Sequence, residues 1–190
     1  PIARRMRWGA GEAQFVRPVH WIVLLFGADT LPATLLDTQA GNRTRGHRFH
    51  APAPITLGTP DDYAGALETG GKVIASFAKR REMIRSGVEA KAKEMGGRAI
   101  LSGALLEEVT ALVEWPVPVA GRFEERFLEL PREVLISTLQ DHQRYFAVED
   151  ATGRLLTAFI TVSNIESREP AQVRTGNERV VRPRLSDAAF

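Results

Sequence analysis

Apolar positions along this 190-residue chain follow two different periods. In the middle of the chain they recur every three to four residues. Phe77, Ile84, Val88, Ala92 and Met95 fall on one face of a predicted helix over 77–95, and Lys79, Arg80, Glu82, Arg85, Glu89 and Lys93 lie largely off it. Gly96-Gly97 ends that helix, because glycine takes left-handed backbone angles cheaply. Ser102 is placed to cap the next helix, which carries Leu105, Leu106, Val109, Leu112 and Val113 and stops at Trp115-Pro116. Pro131 opens a further helix with Leu135, Leu139 and His142 on one side. Pro170 opens a last one, bent or restarted near Pro183. Upstream, Thr59-Pro60-Asp61-Asp62 predicts a short helix that ends at Gly70-Gly71. Thr59 is its cap, Pro60 its first residue, and the two acids sit at the positive end of its dipole.

Shorter apolar runs predict strands. Residues 20–26 read as a buried strand, and 33–36 as its partner across a turn at Gly27-Ala28-Asp29. Residues 44–49 read as a polar strand or extended loop. Runs at 72–75, 117–120, 145–148 and 158–162 complete the set, the last two flanking a turn at Gly153. Strands and helices alternate irregularly. No G-x-G-x-x-G follows a strand and there is no P-loop. The predicted class is α/β (mixed α+β): a single compact domain with a mixed sheet and flanking helices over residues 1–165. A helical segment over 166–190 then leads into a following domain.

Composition narrows the function classes. At 44% hydrophobic and 25% charged residues the chain matches an average globular protein, which excludes a disordered tail, a collagen-like fibre and a coiled-coil rod. The longest apolar run, 21–26, is strand length and far short of a membrane span. Without cysteine there is no disulfide scaffold, thiolate zinc site or cysteine nucleophile, a pattern that fits the cytoplasm. The start Pro1-Ile2-Ala3-Arg4-Arg5 lacks an initiator Met and a signal-peptide core, and the chain stops in Ala188-Ala189-Phe190. It reads as an internal fragment of a longer protein.

Net charge is only +2, and Lys occurs only at 72, 79, 91 and 93. Arginines gather at 4, 5, 7 and 17, at 43, 45 and 48, and at 174, 179, 182 and 184. A guanidinium grips phosphate or carboxylate with a planar fork, so these clusters suit an anionic partner.

Three constellations carry candidate chemistry. In Asn42-Arg43-Thr44-Arg45-Gly46-His47-Arg48-Phe49-His50, an extended backbone places Arg43, Arg45 and His47 on one face and Thr44, Gly46 and Arg48 on the other. Such a strand can track phosphates, with Phe49 or a histidine stacking on a base. The plainer alternative is a solvated strand whose arginines pair with glutamates. Metal ligation by His47 and His50 finds no cysteine or nearby carboxylate to support it, and no metal is expected.

The second constellation is Ser137-Thr138-Leu139-Gln140-Asp141-His142-Gln143-Arg144-Tyr145-Phe146, at a helix end. Ser137 shares a face with Asp141, and Thr138 with His142. A hydroxyl beside a histidine is a hydrolase ingredient, but no G-x-S-x-G elbow is present, and a polar helix end facing RNA or a neighbouring domain is the favoured reading. The third, Gly176-Asn177-Glu178-Arg179-Val180-Val181-Arg182-Pro183-Arg184-Leu185-Ser186-Asp187, projects Arg179, Arg182 and Arg184. Asn177 and Glu178 are placed to orient them. It serves either phosphate contact or an interdomain junction. The candidate nucleic-acid contacts are thus Arg43, Arg45, His47, Arg48, His142, Arg144, Arg179, Arg182 and Arg184, and no catalytic residue is assigned.

Several stretches resemble the beta subunit of the bacterial two-subunit glycyl-tRNA synthetase. They are Met6-Arg7-Trp8-Gly9, Phe15-Val16-Arg17-Pro18-Val19-His20-Trp21, Thr44-Arg45-Gly46-His47-Arg48-Phe49 and Val109-Thr110-Ala111-Leu112-Val113-Glu114-Trp115-Pro116. Downstream come Pro131-Arg132-Glu133-Val134-Leu135-Ile136-Ser137-Thr138, Asp141-His142-Gln143-Arg144-Tyr145-Phe146, Ser163-Asn164-Ile165 and the run from Gly176 to Leu185. They occur in family order and cover nearly the whole chain. The resemblance implies a cytoplasmic alpha–beta assembly that joins glycine to tRNA(Gly), with ATP and Mg used at the alpha subunit and no cofactor in this fragment. It implies the alpha subunit, tRNA(Gly) and the remainder of the beta subunit as partners, and no membrane. It also implies an α/β module related to the editing module of the phenylalanyl-tRNA synthetase beta subunit, without a catalytic residue set that maps onto this chain.

Overall fold

The computed structural model describes residues 4–190. Two compact units emerge, Pro1–Ala75 and Ser76–Phe190. The break between them falls at 75–76, immediately before the Ser76 helix cap.

The first unit is assembled from very short strands. β1 (Met6–Arg7) pairs with β2 (Gln14–Phe15). β3 (Ile22–Val23), β4 (Leu25–Phe26), β5 (Asp29–Thr30), β6 (Thr34–Leu35) and β7 (Thr38–Gly41) follow, then β8 (Arg43–Arg45), β9 (Pro54–Thr56) and helix α1 (Asp62–Thr69). β3 joins β7 in parallel, and β6 and β7 form an antiparallel hairpin. The predicted partnership of 20–26 with 33–36 does not form. Leu36 and Asp37 take left-handed φ of 52° and 57°, which closes a two-residue hairpin and sends 34–35 forward onto β7. Gly27 (φ 57°) turns β4 back onto β5. α1 starts at Asp62, and its cap is not Thr59. The Asp62 carboxylate instead accepts the backbone N–H groups of Gly58 (3.1 Å) and Thr59 (2.8 Å). The predicted strand 72–75 is absent, because Lys72 turns into left-handed backbone (φ 54°) and Val73 N–H donates to the Leu67 carbonyl.

In the second unit, α2 (Phe77–Glu94), β10 (Arg98–Ala99), α3 (Gly103–Leu112) and β11 (Val117–Arg122) precede α4 (Arg132–Ser137), β12 (Phe146–Glu149), β13 (Leu155–Ser163) and α5 (Pro170–Ala189). The Ser76 and Ser102 hydroxyls accept the N–H groups of Lys79 and Leu105, each at 3.3 Å, and so cap α2 and α3. The four strands form an antiparallel sheet in the order β10-β12-β13-β11.

Both faces of this sheet are covered. Phe146, Val148, Ala158 and Ile160 pack with Ile84, Val88 and Ala92 of α2 and Leu105, Leu106 and Val109 of α3. Ala147 and Phe159 face the other way, with Phe127, Leu135, Leu139, Tyr145, Val181 and Leu185. Strand residues alternate sides with period two, so a sheet buried on both faces needs an uninterrupted apolar run. That is the pattern at 145–148 and 158–160. α5 runs through Pro183 as one helix, anchored where Val181 and Leu185 enter the core. The edge strand β11 is blunted at both ends: Pro118 has no N–H to offer, and the N–H of Arg122 donates to Glu178 Oε1 at 3.0 Å. No helix among the described residues is long and apolar enough to cross a membrane.

Candidate nucleic-acid interface

The first arginine cluster follows strand geometry up to Arg45 and departs from it afterwards. In β8, Thr44 is buried and Arg43 and Arg45 are exposed, as alternation requires. β8 ends at Arg45. The backbone of Gly46 then lies against Gly71 so closely that a Cβ would stand 2.5 Å from the Gly71 carbonyl oxygen. His47 N–H donates to that same oxygen at 2.6 Å. The His47 ring is 1% exposed, and its Nδ1 accepts the N–H groups of Phe49 (3.2 Å) and His50 (3.3 Å).

This corrects the expectation that His47 shares an exposed face with Arg43 and Arg45. The imidazole organises the turn from inside, and Arg48 and Phe49 are exposed outside it. Among the described residues, none of Arg43, Arg45 and Arg48 forms an ion pair. The reading in which glutamates neutralise this cluster is not what the side chains do.

Sequence reasoning missed Trp21. Its indole is 43% exposed, and the Arg45 guanidinium carbon lies 5.9 Å from its ring centroid. His20, Trp21, Arg45, Gly46, Arg48 and Pro52 line a cavity of about 640 Å³. The apolar run at 20–26 suggested burial and hid the indole's role. The signal available was a tryptophan next to His20 in a segment whose strand is broken at Leu24.

The second constellation closes on itself. α4 passes into a π-helical turn, Thr138–His142. Ser137 Oγ donates to Asp141 Oδ2 at 2.9 Å, as their shared face predicted. Thr138 is buried and its hydroxyl donates to the Val134 carbonyl, so it is committed away from His142. His142 is exposed. Arg144, with φ of 59°, donates through Nε to Glu108 at 2.6 Å and through its guanidinium to the Asp141 carbonyl.

Residues 145 and 176–187 come together for a structural purpose. Tyr145 stacks on Phe159 (centroids 4.8 Å apart, planes 10° apart) and its O–H donates to Asn177 Oδ1 at 2.6 Å. Burial pushes the Tyr145 phenol pKa up. Asn177 Nδ2 donates to the Val173 carbonyl, and Glu178 is engaged by β11. Asn177 and Glu178 therefore pin α5 to the sheet and do not orient its arginines. Arg182 pairs with Glu124 at 2.5 Å, and Arg179 and Arg184 are exposed. At the end of the interior strand β12, Glu149 is shared by Arg132 (2.5 Å) and Arg98 (2.8 Å). The hydrogen bond from Arg132, then that from Arg98, holds its carboxyl below the usual carboxylate value, against the opposing effect of burial.

Comparison with known proteins agrees with the motifs. Residues 1–190 match the model of the family described as "Glycyl-tRNA synthetase beta subunit". The chain is 57% identical to the glycine–tRNA ligase beta subunit of Marinobacter nauticus over 191 residues, covering 100% of this chain and 28% of that protein. It is also 57% identical to that of Hahella chejuensis and 55% identical to that of Stutzerimonas stutzeri, with the same coverage. The chain thus spans 28% of the length of the curated relatives it matches. With its full length matched by the family model and more than half of its residues shared with these subunits, the chain belongs to the glycyl-tRNA synthetase beta-subunit family.

Proposed function

We propose that this chain contributes a non-catalytic tRNA-holding surface to a cytoplasmic glycyl-tRNA synthetase. In that assembly, ATP-dependent attachment of glycine takes place on the alpha subunit. The observation that carries this is the state of the arginines. Arg43, Arg45 and Arg48 are exposed around a turn fixed by Gly46 and His47, with no carboxylate partner among the described residues. Backbone phosphates recruit such groups, and the counterions they release make affinity depend on salt. His142, Arg179 and Arg184 stand as secondary phosphate contacts.

The test is binding of tRNA(Gly) to the full-length beta subunit by fluorescence anisotropy across a salt series. The Arg45→Glu/Arg48→Glu double variant is expected to weaken binding by tenfold or more, and to reduce the slope of log K against log salt by about 2. Unchanged affinity and slope would remove this surface from the reading.

A second role, as a scaffold for neighbouring parts of the beta subunit or for the alpha subunit, is favoured by one observation. The third constellation spends Asn177, Glu178 and Arg182 on holding α5. Kinship with the phenylalanyl editing module is part of the proposal without its activity, since Ser137 and Thr138 donate to Asp141 and Val134.

A further inference from the structure

We infer that the cavity beside β8 is a pocket for one unpaired nucleotide of an RNA strand, with its base on Trp21 and its phosphate at Arg45 and Arg48. This rests on the tRNA-holding reading above and says which kind of RNA the surface takes. The lining combines a half-exposed indole with two exposed guanidiniums and His20, and it contains no carboxylate. That chemistry selects a ligand that is both anionic and planar. At about 640 Å³ the cavity falls within the range of small-molecule sites.

A duplex offers phosphates but keeps its base faces stacked. Only an unpaired base can lay a face on an indole. The Arg45 guanidinium already stands over the same ring system, 5.9 Å from its centroid, so charge and stacking surface belong to one wall. The wall is fixed. Gly46 has no room for a side chain against Gly71, and His47, buried one residue on, ties down the turn that carries Arg48. Arg43, exposed on the same strand, extends positive charge beyond the cavity, which suits a continuing strand more than a lone mononucleotide.

The experiment uses the full-length subunit and three probes: a labelled single-stranded octaribonucleotide, a blunt RNA duplex of the same length, and AMP as competitor. Trp21→Ala is expected to weaken the single strand by about 5- to 100-fold. It is expected to leave the duplex within about twofold, while Trp21→Phe stays within about threefold of wild type, since a phenyl ring still stacks. In the unsubstituted protein the octamer should quench a tryptophan emission component that Trp21→Phe lacks, and the duplex should not. That readout does not depend on how Trp21→Ala folds.

Equal loss for both RNAs, or no loss and no quenching, overturns the nucleotide pocket. If Arg45→Glu/Arg48→Glu still weakens both RNAs in that case, the tRNA-holding reading survives alone. If that double variant weakens neither RNA, both fall together. AMP competing as tightly as the octamer overturns the strand assignment in favour of a free-mononucleotide site.

Discussion

The two units place the same residue types in opposite circumstances. In the second unit Phe146, Phe159 and Tyr145 are sealed inside a sheet covered on both faces. In the first unit Phe26 in β4 is 75% exposed, Trp21 just before β3 43%, and Phe49 in the turn after β8 69%. The cause is strand length. A nine-residue β13 presents several residues to each face and supports two cores, whereas a strand of two residues presents one. Local order at the first unit's arginine cluster comes from specific close contacts instead: Gly46 on Gly71, and His47 under its own turn. The well-packed unit uses its polar motif residues for construction. The thinly packed one leaves aromatic and arginine side chains facing solvent, where a ligand can reach them.

The comparison breaks most sharply at Phe159 and Trp21. Phe159→Ala removes a ring that is 0% exposed and stacked on Tyr145, and should cost about 3–5 kcal/mol. Native-state hydrogen exchange of the β12 and β13 amides would read that loss. Trp21→Ala, at a half-exposed position, should change protection of its own unit by less than about 1 kcal/mol. A Trp21 effect as large as that of Phe159 would mean that the first unit has a core comparable to the second.

A smaller effect separates the units by pH. Glu149 in the folded second unit holds its carboxyl below the ordinary 4.5 through Arg132 and Arg98. As pH falls, the unfolded chain takes up this proton first. The stabilisation is therefore complete above the ordinary carboxylate range and is lost as pH drops through the lower folded value. Glu149→Gln should remove that part of the acid dependence from β12 protection and leave exchange around β8 unchanged. An identical acid profile in the variant would show that the Arg132–Glu149–Arg98 bridge does not contribute.

Much of the second unit was legible in the sequence, because long helices write a strong period and fully buried strands an unbroken apolar run. Helix 77–95 matches α2 to within one residue, and Ser102 caps α3 as its position predicts. The first unit was poorly legible. Its run 20–26 breaks at Leu24, and its hairpin turns on Leu36-Asp37, where leucine rarely takes left-handed backbone and no glycine marks the turn. At the candidate site, Arg43, Arg45 and Arg48 were readable as a charge cluster. The burial of His47 and the exposure of Trp21 were not, because both follow from how β8, Gly71 and the segment around β3 meet. Asn177 looked like a partner for arginines nearby in sequence and proved to be the acceptor for Tyr145, 32 residues away.

The smallest effect gives the finest test, because it asks whether an arginine's sequence motif or its local pairing decides its role. Arg182 and Arg48 were equal candidates by composition. Arg182 is paired with Glu124 at 2.5 Å, while Arg48 lines a cavity with no carboxylate. Both side chains of the Arg182–Glu124 pair are partly solvent-exposed, and exposed pairs contribute about 0–1 kcal/mol, so Arg182→Ala should barely change the protection of α5. It should also leave the salt slope of tRNA binding unchanged, since a guanidinium already matched to a carboxylate releases few counterions when RNA arrives. Arg48→Ala should lower the slope by about 1, as one phosphate contact is lost. Equal slope changes for the two variants would show that the Glu124 pair opens to admit RNA. The division of labour between the units would then have to be redrawn around α5.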